Sequence, residues 1–249
     1  MKSIALITGA TSGIGEATAR LLASNYSLIL CGRRNERLEQ LKAELSTEVH
    51  TLCFDVRDNE AVKKAIESLP SDWKNIDILI NNAGNAHGLS PIQDGDVADW
   101  DAMIDINVKG LLYVSKVIIP GMIARGKGDI INLGSIAGLE VYPNGNVYCA
   151  SKHAVDAITK GMRLDLNGKG IRVCSIDPGL VETEFSEVRF KGDKERASKV
   201  YQGFTPLSAQ DIAETIAFVI SRPRHVNIAD LLIFPSAQAS STIVDKKSV

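Results

Sequence analysis

The chain has 249 residues, with 28 Lys and Arg against 30 Asp and Glu and a 45% hydrophobic content. That length and apolar fraction fit one large α/β domain and exclude a disordered chain. The near-neutral, mixed charge argues against a nucleic-acid binder, and no apolar run approaches the ~20 residues of a membrane span.

The run Ile4–Thr8 reads as a buried strand, too short and too soon followed by glycines to be a signal peptide. Further buried strands are expected at Ser27–Cys31, His50–Phe54, Ile76–Asn81, Asp129–Gly134, Arg172–Asp177 and Leu231–Phe234. Helical patterns lie between them at Glu16–Ala23, Glu36–Leu45, Glu60–Ser68, Val97–Arg125, Val147–Asn167 and Ala209–Ser221. Strand–helix alternation with right-handed crossovers predicts one α/β domain over residues 1–249, a doubly wound parallel sheet with helices on both faces. Cys31, Cys53, Cys149 and Cys174 lack paired zinc or redox spacing, so a reduced, cytoplasmic protein is expected. His50, His87, His153 and His225 have no second ligand at helical or turn spacing, and no metal is expected.

Two stretches break the rhythm. Asn85–Asp96 is polar and follows a strand, where such sheets keep their ligand loops. The charged segment at about 182–205 fits a mobile lid with a few apolar anchors; the alternative is a solvated helix pair serving only packing.

After the first strand comes Thr8-Gly9-Ala10-Thr11-Ser12-Gly13-Ile14-Gly15. Glycines 9, 13 and 15 permit a tight turn and close approach to a pyrophosphate, and the next helix supplies oriented N–H groups. Their spacing is GxxxGxG, so the common GxGxxG fingerprint is not strictly met. The second strand ends in Gly32-Arg33-Arg34, with no acid for a ribose diol. Two guanidiniums suit a 2′-phosphate, which selects NADP(H) over NAD(H). Asp55-Val56 after the third strand could flank the adenine, or the acid could be only a helix cap.

The one Tyr-x-x-x-Lys in the chain is Tyr148-Cys149-Ala150-Ser151-Lys152. On a helix these two share a face, so a fixed ammonium beside the phenol, together with a nicotinamide ring, is expected to lower the phenol pKa from its usual ~10. Ser135 closes a strand at the crevice and can donate to a developing alkoxide, or it can simply cap the next turn. Asn107 sits within a helical pattern and, taken alone, reads as a surface side chain.

Thr8–Gly15, Asn81-Asn82-Ala83-Gly84, Asn107, Ser135, Tyr148/Lys152 and Pro178-Gly179 stand in the order of the short-chain dehydrogenase/reductase family, which the chain resembles from Ile4 to about Thr183. The resemblance implies a seven-stranded Rossmann-type fold, catalysis rather than nucleotide sensing, and hydride transfer with a nicotinamide cofactor. It makes Tyr148 the proton donor or acceptor and has Lys152 bind the ribose hydroxyls while lowering the Tyr148 pKa. Ser135 would hold the substrate oxygen and Asn107 would position a relay water. Asn82, Ala83 and Gly84 would border the cofactor, and Val181 and Thr183, after Pro178-Gly179, would contact the nicotinamide carboxamide. Family habit further implies a homotetramer built on the long helices and the last strand.

Glu184–Gly192 and the start of the tail at about 235–249 resemble one subgroup, the NADP-dependent 3-hydroxy acid dehydrogenases. That implies serine, allo-threonine, 3-hydroxypropionate or a small semialdehyde as substrate. A broad carbonyl reductase or a 3-oxoacyl reductase is the alternative enzyme; an NADP(H)-sensing binding protein is the non-enzymatic one. A small anionic substrate needs a cation, and Arg189 and Lys191 are the available residues, although either could be a solvated surface charge.

Overall fold

Every residue of Ile4–Thr8 is buried, as a strand covered on both faces must be. The computed structural model describes residues 2–247; Met1 and the last two residues of the expected tail, Ser248 and Val249, lie outside the described residues. The chain runs β1 (Ile4–Thr8), α1 (Gly13–Leu22), β2 (Ser27–Gly32), α2 (Asn35–Glu44), β3 (Val49–Cys53) and α3 (Asn59–Glu67). It continues through β4 (Ile76–Asn81), α4 (Val97–Ile104), a π turn at Asp105–Gly110 and α5 (Leu111–Arg125). Next come β5 (Gly128–Leu133), α6 (Asn146–Asp165), β6 (Ile171–Pro178) and β7 (Val181–Glu182). The remainder is α7 (Phe185–Arg189), α8 (Lys194–Lys199), β8 (Leu207–Ser208), α9 (Ala209–Ile220) and β9 (Asp230–Ile233).

Seven parallel strands form one sheet in the order β3-β2-β1-β4-β5-β6-β9. Side chains of β1 alternate between two cores. Ala5 and Ile7 pack with Ala19 and Leu22 of α1 and Ile212 and Ile216 of α9. Ile4 and Leu6 pack on the other face with Val62 and Ile66 of α3 and Val114 and Ile118 of α5. Each fully buried Leu or Ile here contributes about 1.5–3 kcal/mol. Because β1 pairs with both β2 and β4, the strand order reverses there and opens a crevice at their carboxyl ends.

This is the expected single-domain Rossmann-type fold, with element ends displaced by a few residues; α1, for example, begins at Gly13 rather than Glu16. The helix expected over Val97–Arg125 is interrupted by the π turn. Residues 182–205 contain α7 and α8, flanked by a β7–β8 pair whose two-residue strands are too short to leave a sequence pattern. Among the described residues no helix is long and apolar enough to cross a membrane.

Candidate active site

A cleft of about 570 Å³ lies at the crevice, within the size range of small-molecule sites. The glycine loop forms one wall. Gly9 and Gly13 adopt left-handed backbone at φ +66° and +53°, and a Cβ on Gly15 would run into the Gly9 carbonyl. Gly15 is therefore the packing glycine behind the loop, while Gly9, Thr11, Ser12, Gly13 and Ile14 face the cleft. The Ser12 side chain does not cap α1, whereas Asp58, Asp96, Asp193 and Ser208 cap α3, α4, α8 and α9. The first N–H groups of α1 thus have no side-chain acceptor, an arrangement that fits a dinucleotide pyrophosphate. Asn82 secures the neighbouring wall: its Nδ2 donates to the Thr8 and Gly9 carbonyls at 2.9 and 3.1 Å. Asn81 instead reaches into the core, donating to Ser115 Oγ and Asn132 Oδ1.

Arg34 donates through Nη2 to Thr11 Oγ1 and Ser12 Oγ, both at 2.8 Å. Arg33 is more exposed and pairs with Asp55 at 3.5 Å; Asp55 and Val56 also line the cleft. Two residues missed in the sequence complete this cluster. Arg37 on α2 pairs with Glu184 at 2.9 Å, and Arg34 pairs with the same carboxylate at 3.2 Å. Partial burial acts to raise the Glu184 pKa, but hydrogen bonds from Arg37 and Arg34 hold it below its ordinary value.

The expected catalytic residues come from three places in the chain: Tyr148 and Lys152 from α6, Ser135 from the end of β5 and Asn107 from the π turn. Tyr148 is buried on α6, with Phe185 of α7 edge-on at 5.7 Å between ring centres. Burial pushes its phenol pKa well above the ordinary value, and the neighbouring Ser135 hydroxyl offsets only part of that. Lys152 shares the Tyr148 face of α6, but its Nζ donates to the Leu133 carbonyl at 2.8 Å. These surroundings by themselves do not lower the phenol: burial outweighs the cations nearby, and the expected lowering also calls for the nicotinamide ring. Ser135 N donates to Asp177 Oδ1 at 3.2 Å, and Ser135 Oγ accepts from Ala137 N at 3.1 Å. Asp177, also unforeseen, takes up the space beside Gly134, where a Cβ would collide with its Oδ1.

Asn107 is 2% exposed and does not line the cleft. Its Nδ2 donates to the Asn85 carbonyl and Ser151 Oγ, both at 2.9 Å, while its Oδ1 accepts from Asn85 N at 2.8 Å. It is a buried clamp on the π turn, not the surface residue its helical position suggested. Ala83, Gly84, Pro178, Gly179, Val181 and Thr183 all border the cleft.

Of the two cations expected to meet a substrate, only Arg189 lines the cleft. Its guanidinium stands 5.5 Å from the ring centres of both Tyr142 and Tyr148. Nε donates to the Gly88 carbonyl at 3.3 Å, while Nη2 is buried without a hydrogen-bond partner. Lys191 departs from expectation: it lies outside the cleft, paired with Asp99 at 3.0 Å and Asp96 at 3.6 Å. The cause is local, since α7 ends at Arg189 and Lys191 turns left-handed at φ +53°. His87 does line the cleft; burial lowers its pKa, and its Nε2 lies 2.7 Å from Asn85 Nδ2. Among the described residues no group of three or more His, Cys, Asp or Glu is placed to hold a metal.

A model of the short chain dehydrogenases matches residues 3–194. The chain belongs to the short-chain dehydrogenase family. This dehydrogenase is 48% identical over 238 residues to an NADP-dependent 3-hydroxy acid dehydrogenase of Salmonella typhi, covering 95% of this chain and 96% of the relative. It is 47% identical over 251 residues to sulfoacetaldehyde reductase 2 of Chromohalobacter salexigens, covering 99% and 100%. Its fold matches a closed form of serine dehydrogenase complexed with NADP+, with a TM-score of 0.94 and 44% identity over 98% of this chain and 100% of that one.

The dehydrogenase carries a buried ammonium at some cost to its stability. Burial brings Lys152 down to about 8 from 10.5, against an opposing pull from Asp177. Asp177 itself is raised to about 6, chiefly by burial. For Lys152 the folded pKa is the lower one, so between about 8 and 10.5 the unfolded chain binds more protons. This group's contribution to stability therefore rises with pH across that window and is lost as pH falls through about 8. The Tm difference between Lys152→Met and the parent dehydrogenase should be large and positive at pH 7 and shrink towards pH 10. A difference independent of pH would contradict the assignment.

Proposed function

We propose that this dehydrogenase is an NADP(H)-dependent enzyme of small 3-hydroxy acids. It interconverts the 3-hydroxyl of serine, allo-threonine or 3-hydroxypropionate with the corresponding 3-oxo acid or semialdehyde. One observation carries the reading: the buried, unpartnered Nη2 belongs to Arg189, whose guanidinium is 5.5 Å from the ring of Tyr148. A guanidinium so placed suits an anion whose hydroxyl meets the phenol. The Salmonella relative's name specifies hydroxy acids, and sulfoacetaldehyde is likewise a small compound with an anionic group.

The cofactor, when bound, accepts or supplies the hydride. The chain does the rest. Ser135 Oγ holds the substrate oxygen, and Tyr148 takes its proton on oxidation or returns one on reduction. Lys152 holds the ribose hydroxyls, Thr183 and Val181 orient the carboxamide, and Arg34, Thr11 and Ser12 with Arg33 hold the 2′-phosphate. Residues 182–205 act as a lid over this site, with the tail from residue 235 beside them. We place the enzyme in the cytoplasm as a homotetramer. Exposed Leu112 and Ile123 on α5, and Leu232 on β9, lie on the elements that would pair.

The test is a panel of small hydroxy acids and semialdehydes assayed with NADP+ and NAD+, alongside direct binding of both dinucleotides. Arg34→Ala should weaken NADP+ binding about 10- to 100-fold and NAD+ binding less than about threefold. Preference for NAD+, or activity confined to neutral alcohols, defeats the reading.

A further inference from the structure

The Arg34 guanidinium assigned to the 2′-phosphate, together with the neighbouring Arg37, already holds an anion belonging to this chain. Glu184 Oε1 accepts from Arg37 Nη1 at 2.9 Å, and Oε2 accepts from the same nitrogen and from Arg34 Nη1, each at 3.2 Å. Arg34 Nε and Nη2 meanwhile donate to Thr11 Oγ1, and Nη2 donates to Ser12 Oγ as well. Glu184 comes from 150 positions beyond Arg34, and its side chain is 47% exposed. Packing does not force it against the arginines; charge draws it there.

A phosphate monoester brings about −1.5 to −2 charge and three acceptor oxygens to such a site. It must either displace the Glu184 carboxylate or bind beside it against like-charge repulsion, and both outcomes weaken binding. A dinucleotide without the 2′-phosphate has no need of these nitrogens and meets no such competition. We propose that Glu184 is a specificity-determining residue, an intramolecular competitor that limits the preference of this site for 2′-phosphorylated nucleotides. The proposal rests on the NADP(H) reading above.

Calorimetric titration with adenosine 2′,5′-bisphosphate and with AMP tests it without turnover. Glu184→Gln keeps the shape and removes the charge. It should tighten the bisphosphate about fivefold, the scale of two exposed ion pairs, and change AMP less than about 1.5-fold. The gain should fade by 0.5 M salt, which screens exposed charges. Glu184→Ser, which also removes the reach of the side chain, should give the same gain. Equal binding of the two ligands by the parent and by both variants overturns the 2′-phosphate reading itself. A parent that prefers the bisphosphate, with neither substitution strengthening it, overturns the competitor alone. Weaker bisphosphate binding in both variants also overturns it, because Glu184 would then be holding the arginines in place for the ligand.

Discussion

Tyr148→Phe lowers kcat/KM by about 10²- to 10⁴-fold while dinucleotide affinity stays within about threefold of the parent. The substitution removes one oxygen and leaves the ring that packs edge-on against Phe185. The buried phenol, pushed well above its ordinary pKa, is fully protonated at neutral pH. It is ready to donate, and it becomes a useful acceptor only when positive charge arrives beside it. Stopped-flow turnover paired with a direct binding titration separates the two effects. Turnover within tenfold of the parent would remove Tyr148 from the proton step.

Arg189→Ala raises KM for carboxylate or sulfonate substrates by about 100-fold, equivalent to ~3 kcal/mol, and changes KM for neutral alcohols of similar size by less than about threefold. The guanidinium also packs over Tyr142 and donates to Gly88, so truncation has a structural component. The neutral substrate measures that component, because it shares the site but not the charge. Lys191→Ala, at a cation that spends itself on Asp99 and Asp96, should leave both substrate classes unchanged. Equal loss on the two classes would reduce Arg189 to a packing residue.

What was legible in the sequence was whatever the chain delivers locally. The buried strands announce themselves by composition, and a parallel sheet places its ligand residues at strand ends, so Thr11, Ser12, Arg34 and Ser135 follow directly from strand position. The pairing of Glu184 with Arg37 was not legible, because it joins residues 147 positions apart and nothing in the Glu184–Gly192 run points to an arginine partner. Lys191 was misjudged for a related reason: sequence proximity to Arg189 says nothing about a left-handed residue that redirects the chain between them. The π turn is not legible because an irregularity confined to six residues carries no signature of its own, and the amide of Asn107 wrapped around Asn85 is what it positions.

Gly134 has no side chain, yet the placement of Ser135 depends on it. The space a methyl group would fill is occupied by Asp177, and that carboxylate grips the backbone of the adjoining serine. Even alanine at this position would evict the acid and let the hydroxyl drift from the phenol. A position with no functional group of its own is thus expected to resist substitution through shape alone.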